Sequence, residues 1–321
     1  MALFSFCTLL IFIVLYVKGI NQTALLSIYP LWLWALFLSL PALFAWILFK
    51  TRLGLILFTT WTLFAVLTAD FIPPVSRSGM TAYKLPLSPG IKYWRIMTLD
   101  CSNLDAIPVG QIAKLNTDLL FLQGSNDPNK TISFAIKTFG PQAQVRQMGT
   151  CAIIAANGQM GNAWSIPNTD GFIVDWIPLR SSLPIRLVNI SLAAADNIST
   201  NFLRPSSWQY YAQLRAYHNT QLLSILNTLK TMGTQYGELP VILAGNFNAE
   251  PSSPIFRLLD KTFVDAYIER GTGYGATTPT NFPILRHDRI FSTAPLAPSS
   301  AKTVKISGTN HRAVIADMTK D

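Results

Sequence analysis

The chain has 321 residues, is 50% hydrophobic and only 13% charged, and carries a formal net charge of +9, a balance unlike that of a plain soluble domain. Its three cysteines are too few for a disulfide framework. The sequence also lacks the dense Lys/Arg block of a nucleic-acid arm and the Cys/His spacing of structural zinc.

The excess apolarity lies at the N-terminal end. Residues 4–17, 31–49 and 53–69 are almost uncharged and rich in aromatics, and are interrupted by Lys18, by Lys50 and Arg52, and by Asp70 with Pro73 and Pro74. A bilayer core of about 30 Å takes about 20 helical residues. The start carries no Lys or Arg and two further apolar blocks follow, which argues against a cleaved signal peptide. The pattern predicts an integral membrane anchor of about three helices over residues 1–75; the alternative is two helices behind an interfacial first segment. Trp32, Trp34, Trp46 and Trp61 suit interfacial belts. Lys50 and Arg52 in the second loop place that loop in the cytoplasm and the C-terminal portion outside it, a bias weakened by Lys18, Arg77 and Lys84.

Residues 76–92, rich in Ser, Pro and Gly, read as a linker into a soluble domain over 93–321. Setting aside Lys18, Lys50 and Arg52 from the 25 basic residues, and Asp70 from the 16 acidic ones, leaves 22 against 15 in the remainder. This modest surplus suits anionic partners such as phosphates or lipid head groups. "YWRIMTL" (93–99) predicts a strand, 107–115 a short helix, and "DLLFLQ" (118–123) a buried strand. "GTCAIIAA", "GFIVDWIPL" and "PIRLVNISL" are further strands. A long helix begins after Pro205 with Ser206 or Ser207 as its cap; Leu222, Ile225, Leu226 and Leu229 form its core face, and Gly233 is its stop. "PVILAG", a short helix near 255–259, "HDRIF" and "AVIADM" complete an alternating α/β pattern.

Polar residues stand at the strand ends: Asp100, Gly124 after "LLFLQ", Ser191, Asn246 and Asn248 after "VILAG", Asp288, and Asn310 with His311. Residues at several strand ends can converge on one site although distant in sequence. Any one of them is also explained by turn formation or solvation.

Taken in order, "LLFLQ", "LVNISL", "AGNFNAEP", "GYGATTPT", "RHDRIF" and "NHRAV" resemble the endonuclease/exonuclease/phosphatase superfamily, and the apolar segments ahead of them resemble a bacterial membrane-anchored branch. The resemblance covers about residues 93–318. It implies a four-layer α/β sandwich, two packed mixed sheets flanked by helices, and a metal-assisted phosphoester hydrolase localised at the bacterial inner membrane. Mg²⁺ or Mn²⁺ would be the cofactor if the centre is active, and otherwise none is implied.

By the same resemblance, His311, Asp288, Asn248 and Asn246 hold the catalytic positions, and Asn248 and His311 the substrate-binding ones. Asp100 and Asn310 are the candidate metal ligands. Several of these depart from the family pattern: Gly124 stands where a metal-binding Glu is expected, Asn246 and Asn310 where Asp is expected, Ser191 where His is expected, and Asp100 where Asn is expected. An amide cannot act as a base near neutrality, and the net loss of two negative charges weakens any metal site. Three functions follow. The first is an impaired phosphoesterase homologue that binds a phosphate-containing ligand, whether nucleic acid, lipid or inositol phosphate. The others are an active phosphodiesterase or phosphatase with a rearranged metal site, and a membrane-tethered scaffold for a protein partner.

Overall fold

The computed structural model describes residues 6–8, 10–11, 14, 18, 20–69, 93–179, 183–195, 204–249, 253–259 and 262–320. The proposed linker and most of the first apolar block lie outside the described residues. Contacts divide the chain into two compact units: Met1–Ile72 with Ala195–Ala216 and Ala249–Phe256, and Pro73–Ala194 with Tyr217–Asn248 and Arg257–Asp321.

The first unit contains a helical hairpin, α1 (Leu31–Phe49) and α2 (Arg52–Thr68). Helix α1, with mean hydropathy 2.1, is long and apolar enough to cross a membrane; α2 is apolar but shorter, at 17 residues. Lys50 turns the chain in the left-handed region, and Thr51 caps α2 by accepting from Gly54 N at 3.2 Å. The helices meet through small residues, with Ala35, Ser39, Ala42 and Ala45 buried on α1 and Gly54 and Ala65 on α2, the packing that suits helices surrounded by lipid. Phe37, Phe44, Leu48, Ile56 and Leu67 point outward. Trp61 is buried between the helices against Ala35 and Ala65.

The second unit is built on two six-stranded mixed sheets. Its strands are β1 (Tyr93–Asp100), β2 (Leu119–Gln123), β3 (Gln144–Met148), β4 (Cys151–Ala155), β5 (Gln159–Ser165), β6 (Asp170–Ile177), β7 (Ile185–Ser191), β8 (Val241–Asn246), β9 (Val264–Asp265), β10 (Asp288–Ser292), β11 (Leu296–Val304) and β12 (Ala313–Lys320). One sheet runs β11-β12-β1-β2-β4-β3 and the other β5-β6-β7-β8-β10-β9. Each has one parallel pair at its centre, β1 with β2 and β7 with β8. Ile96, Phe121 and Ile153 of the first sheet pack on Phe172, Leu187, Ile242 and Ile290 of the second in one core. Opposite faces of the same strands are also apolar. Met97, Leu99, Leu120 and Ile154 pack under α3 (Val109–Ala113) and α4 (Pro128–Phe139), which explains the unbroken apolar runs of β2 and β4.

Helix α5 (Pro205–Tyr236) differs at both ends from the sequence expectation. Pro205 itself takes the first helical position, which its fixed φ suits, so Ser206 and Ser207 lie inside the first turn. Gly233 stays helical; the helix ends at Gly237, whose φ is +89° and whose N–H returns to Gly233 O at 3.0 Å. The predicted helix near 255–259 is a 3₁₀ segment, Pro254–Leu258. Helix α4 was missed although Ile132, Ala135, Ile136 and Phe139 recur at helical spacing; Asp127 caps it through Asn129 N and Lys130 N. The short α6 (Ala266–Arg270) is capped in the same way by Asp265.

Candidate active site

Because β1 and β8 are central strands of the two facing sheets, Asp100 and Asn246, which end them, lie within reach of each other. Asn246 Nδ2 donates to Asp100 Oδ2 at 2.5 Å. Asn246 Oδ1 in turn accepts from Asn248 N at 2.8 Å, so both functional groups of this amide are engaged. Asn248 adopts a left-handed φ of 46°, which Asn tolerates, and gives one amide hydrogen to Leu192 O at 2.7 Å. Ahead of this turn, Gly245 has φ +147°, and a Cβ there would lie 1.9 Å from Ile190 O. Only glycine lets β8 approach β7 so closely.

Asp288 opens β10, antiparallel to β8 and directly opposite Asn246. It is buried, and its Oδ2 accepts from His311 Nδ1 at 2.8 Å. Burial alone pushes the imidazole pKa down. It is outweighed by the Asp288 charge, the Asp288 hydrogen bond and the Asp100 charge, which together raise the pKa to about 9. His311 is therefore a cation at neutral pH. The Asp100 carboxyl is raised above its ordinary value, by burial first and by the Asp288 charge, against the lowering effects of His311 and the Asn246 amide.

Residues outside the predicted set hold this arrangement in place. The buried Thr277 Oγ1 accepts from His287 N at 3.2 Å and Asp288 N at 3.3 Å, fixing the entry to β10. Arg286 and Arg289, on either side of Asp288, both reach the buried Asp265, at 3.1 and 3.5 Å. The rings of His287 and His311 lie 6.4 Å apart. Thr98, Gln123 and Asn189 form a buried chain beneath the cluster, with Gln123 Nε2 donating to Asn189 Oδ1 at 2.7 Å. The motifs "GYGATTPT" and "RHDRIF" contained Thr277, His287 and the arginines. Nothing in spacing alone separated them from ordinary turn and strand residues.

The structure brings Asp100, Asn246, Asn248, Asp288 and His311 together and leaves other predicted positions at the margin. Asn310 is exposed, and its carbonyl accepts from Thr280 N at 2.9 Å. Ser191 lies beside Asn246 in the parallel β7–β8 register. Gly124 has φ +81°, and a Cβ there would be 2.6 Å from Cys101 O. This backbone therefore excludes the Glu expected at that position. Cys101 and Cys151 are buried free thiols, each with its pKa pushed up by burial first.

Among the described residues, Asp100, Asp288 and His311 form a cluster whose possible ligand atoms lie within 4.8 Å of one another. As a donor set it is thin for a resident Mg²⁺, which is held in near-octahedral array by one or two carboxylates and its own waters; within the cluster, Asp288 Oδ1 is buried without a hydrogen-bond partner and faces that role. Position 124 offers no side chain, the oxygen of Asn246 is engaged with Asn248, Asp288 Oδ2 is held by His311, and the imidazole is cationic.

The profile of the Endonuclease/Exonuclease/phosphatase family matches residues 109–311. The chain belongs to this family. Solved structures with a similar fold include an endonuclease/exonuclease/phosphatase from Bacteroides vulgatus (TM-score 0.55, 13% identity, covering 72% of this chain and 100% of that one). A family protein from Bacteroides thetaiotaomicron gives TM-score 0.54, 13% identity and coverage of 72% and 99%. The human Nocturnin catalytic domain with bound sulfate anion gives TM-score 0.51, 15% identity and coverage of 71% and 95%. No curated protein sequence matches significantly. At such identities the solved structures establish the Endonuclease/Exonuclease/phosphatase fold, and the chemistry rests on the residues themselves.

Proposed function

We propose that this protein is a membrane-tethered member of the Endonuclease/Exonuclease/phosphatase family that binds a phosphate-bearing ligand and hydrolyses it slowly or not at all. In this reading residues 1–75 anchor the chain in a bacterial inner membrane, 76–92 link, and 93–321 form the binding domain on the non-cytoplasmic side. The observation that carries it is the Asn246–Asp100 hydrogen bond, in which an amide proton lies against the carboxylate that a cation would otherwise neutralise. His311, held cationic by Asp288, keeps Nε2–H to donate to a phosphoryl oxygen, and Asn248 has a second amide hydrogen for the same purpose. The positions at which the resemblance expects Asp, 246 and 310, carry neutral amides that cannot activate water.

The test is turnover by the full chain in detergent on nitrophenyl phosphate mono- and diesters with millimolar Mg²⁺ or Mn²⁺. The expected result is no hydrolysis above the buffer rate, together with saturable binding of inorganic phosphate that His311→Ala weakens. Rapid metal-dependent hydrolysis that disappears in His311→Ala would overturn it.

A second reading, an active centre with a rearranged metal site, is favoured by one observation. Asp288 Oδ1 is buried without a hydrogen-bond partner, close to Asp100, and a cation would satisfy it. On that reading Mg²⁺ or Mn²⁺ binds in calorimetry and Asp100→Ala abolishes binding; absence of either effect removes it.

A further inference from the structure

We propose that the groove between the second half of α5 and the loop following β5 is a binding site for a neutral saccharide. It is an open groove with a cavity volume of about 630 Å³, within the roughly 300–1,000 Å³ of small-molecule sites. One wall is aromatic: Trp164 and Tyr236 have ring centroids 6.0 Å apart and planes inclined at 34°. Tyr236 keeps 61% of its surface in solvent, so its ring is available for stacking. Asn168, Asn227, Thr231 and Gln235 also line the groove, and all four are exposed.

Among the described residues lining it there is no Lys, Arg, His, Asp or Glu, although the chain as a whole carries +9. An anionic ligand finds no cation here and a cationic one no carboxylate. A purely apolar ligand would use the aromatic wall, Leu223 and Met232 but none of the amides. A pyranose meets both surfaces at once. Its C–H face packs on an aromatic ring, and its hydroxyls, which donate and accept, pair with amides that do the same.

The groove is also preformed. Ser224 Oγ donates to Pro167 O at 2.7 Å, Gln221 Nε2 to Asn168 O at 3.2 Å, and Tyr217 Oη to the same carbonyl at 3.3 Å. Three side chains of α5 thus hold the loop in place before any ligand arrives, which reduces the ordering cost of binding.

The experiment is calorimetric titration of the full chain, kept in a detergent without a sugar head group, with maltotriose, cellotriose and, as an anionic control, trigalacturonate. At least one neutral trisaccharide should bind saturably, and the anionic one at least about tenfold more weakly. Trp164→Ala and Gln235→Ala should each weaken the neutral ligand by about tenfold, the size of one lost stacking or hydrogen-bonding contact. Gln235 is exposed, so Gln235→Ala should keep the parental thermal transition and report on the site even if Trp164→Ala misfolds. Failure of both neutral trisaccharides to saturate, tighter binding of trigalacturonate, or unchanged affinity in Gln235→Ala would overturn the proposal.

Discussion

On one side of the strand-end cluster His311 and Asp288 meet at 2.8 Å, buried and braced by Thr277; on the other, Asp100 meets an amide at 2.5 Å, and Gly124 offers nothing. The first half keeps the charge logic of a phosphoryl-binding pair, a cation stabilised by a buried anion. The second half has exchanged charge for hydrogen bonding. Asn246 donates to Asp100 and accepts from Asn248, so its amide is engaged within the cluster. On the proposed function, recognition of an anion by His311 and attack on it rest on different groups, so one can change without the other.

The comparison is broken most severely by restoring what the second half has lost. Gly124→Glu should cost about 2–4 kcal/mol in a thermal or denaturant melt, since the new side chain must accept a positive φ and displace Cys101 O. Full stability together with a new Mg²⁺ site would show that this loop is not locked.

The first half is tested through pH. The His311 pKa is raised, from about 6.5 unfolded to about 9 folded. Its contribution is therefore fully present below about pH 6.5 and is lost as pH rises through about 9, amounting to about 2–3 kcal/mol at pH 7. Asp288→Asn should remove that dependence from the melting profile over this window. A parental profile that stays flat from pH 6 to 10 would contradict the pairing.

A smaller effect is expected at Thr277. Thr277→Val keeps the shape but removes the acceptor from the buried N–H of Asp288 and the part-buried N–H of His287, for a loss of about 1–3 kcal/mol. Because Asp288 is then less firmly held, the His311 titration, followed by NMR, should move toward its ordinary value. A stability loss with an unmoved titration would make Thr277 a packing residue alone.

Much of the fold could be read from the sequence, because its signals were local. Apolar runs bounded by Gly, Pro and polar residues marked β1, β2, β4, β6, β7, β8, β10 and β12 within a residue or two. Strands with weaker alternation, β3, β5 and β11, were missed. So was α4, although Asp127 and Pro128 mark its start and Ile132, Ala135, Ile136 and Phe139 recur at helical spacing. At the site, Asp100, Asn246 and Asp288 end or open strands and Asn248 and His311 lie two residues outside one, and it is the resemblance to the family that singled them out. Thr277 and the Asp265–Arg286–Arg289 group were not, since they act through burial and non-local hydrogen bonds that no spacing encodes. The helix ends at Pro205 and Gly237 turned on backbone dihedrals: Gly237 has φ +89°, whereas Gly233, the expected stop, stays helical.

The central claim, that the Asn246 amide has taken the place of a metal, is tested most directly by Mg²⁺ calorimetry on the parental chain and on Asn246→Asp. The substitution sets two carboxylates against each other at hydrogen-bonding distance, a repulsion that a divalent cation relieves. The account predicts no Mg²⁺ binding by the parental protein at millimolar concentration and measurable binding by Asn246→Asp. Parental binding that is abolished by Asp100→Ala, or equal affinity in the two proteins, would contradict it.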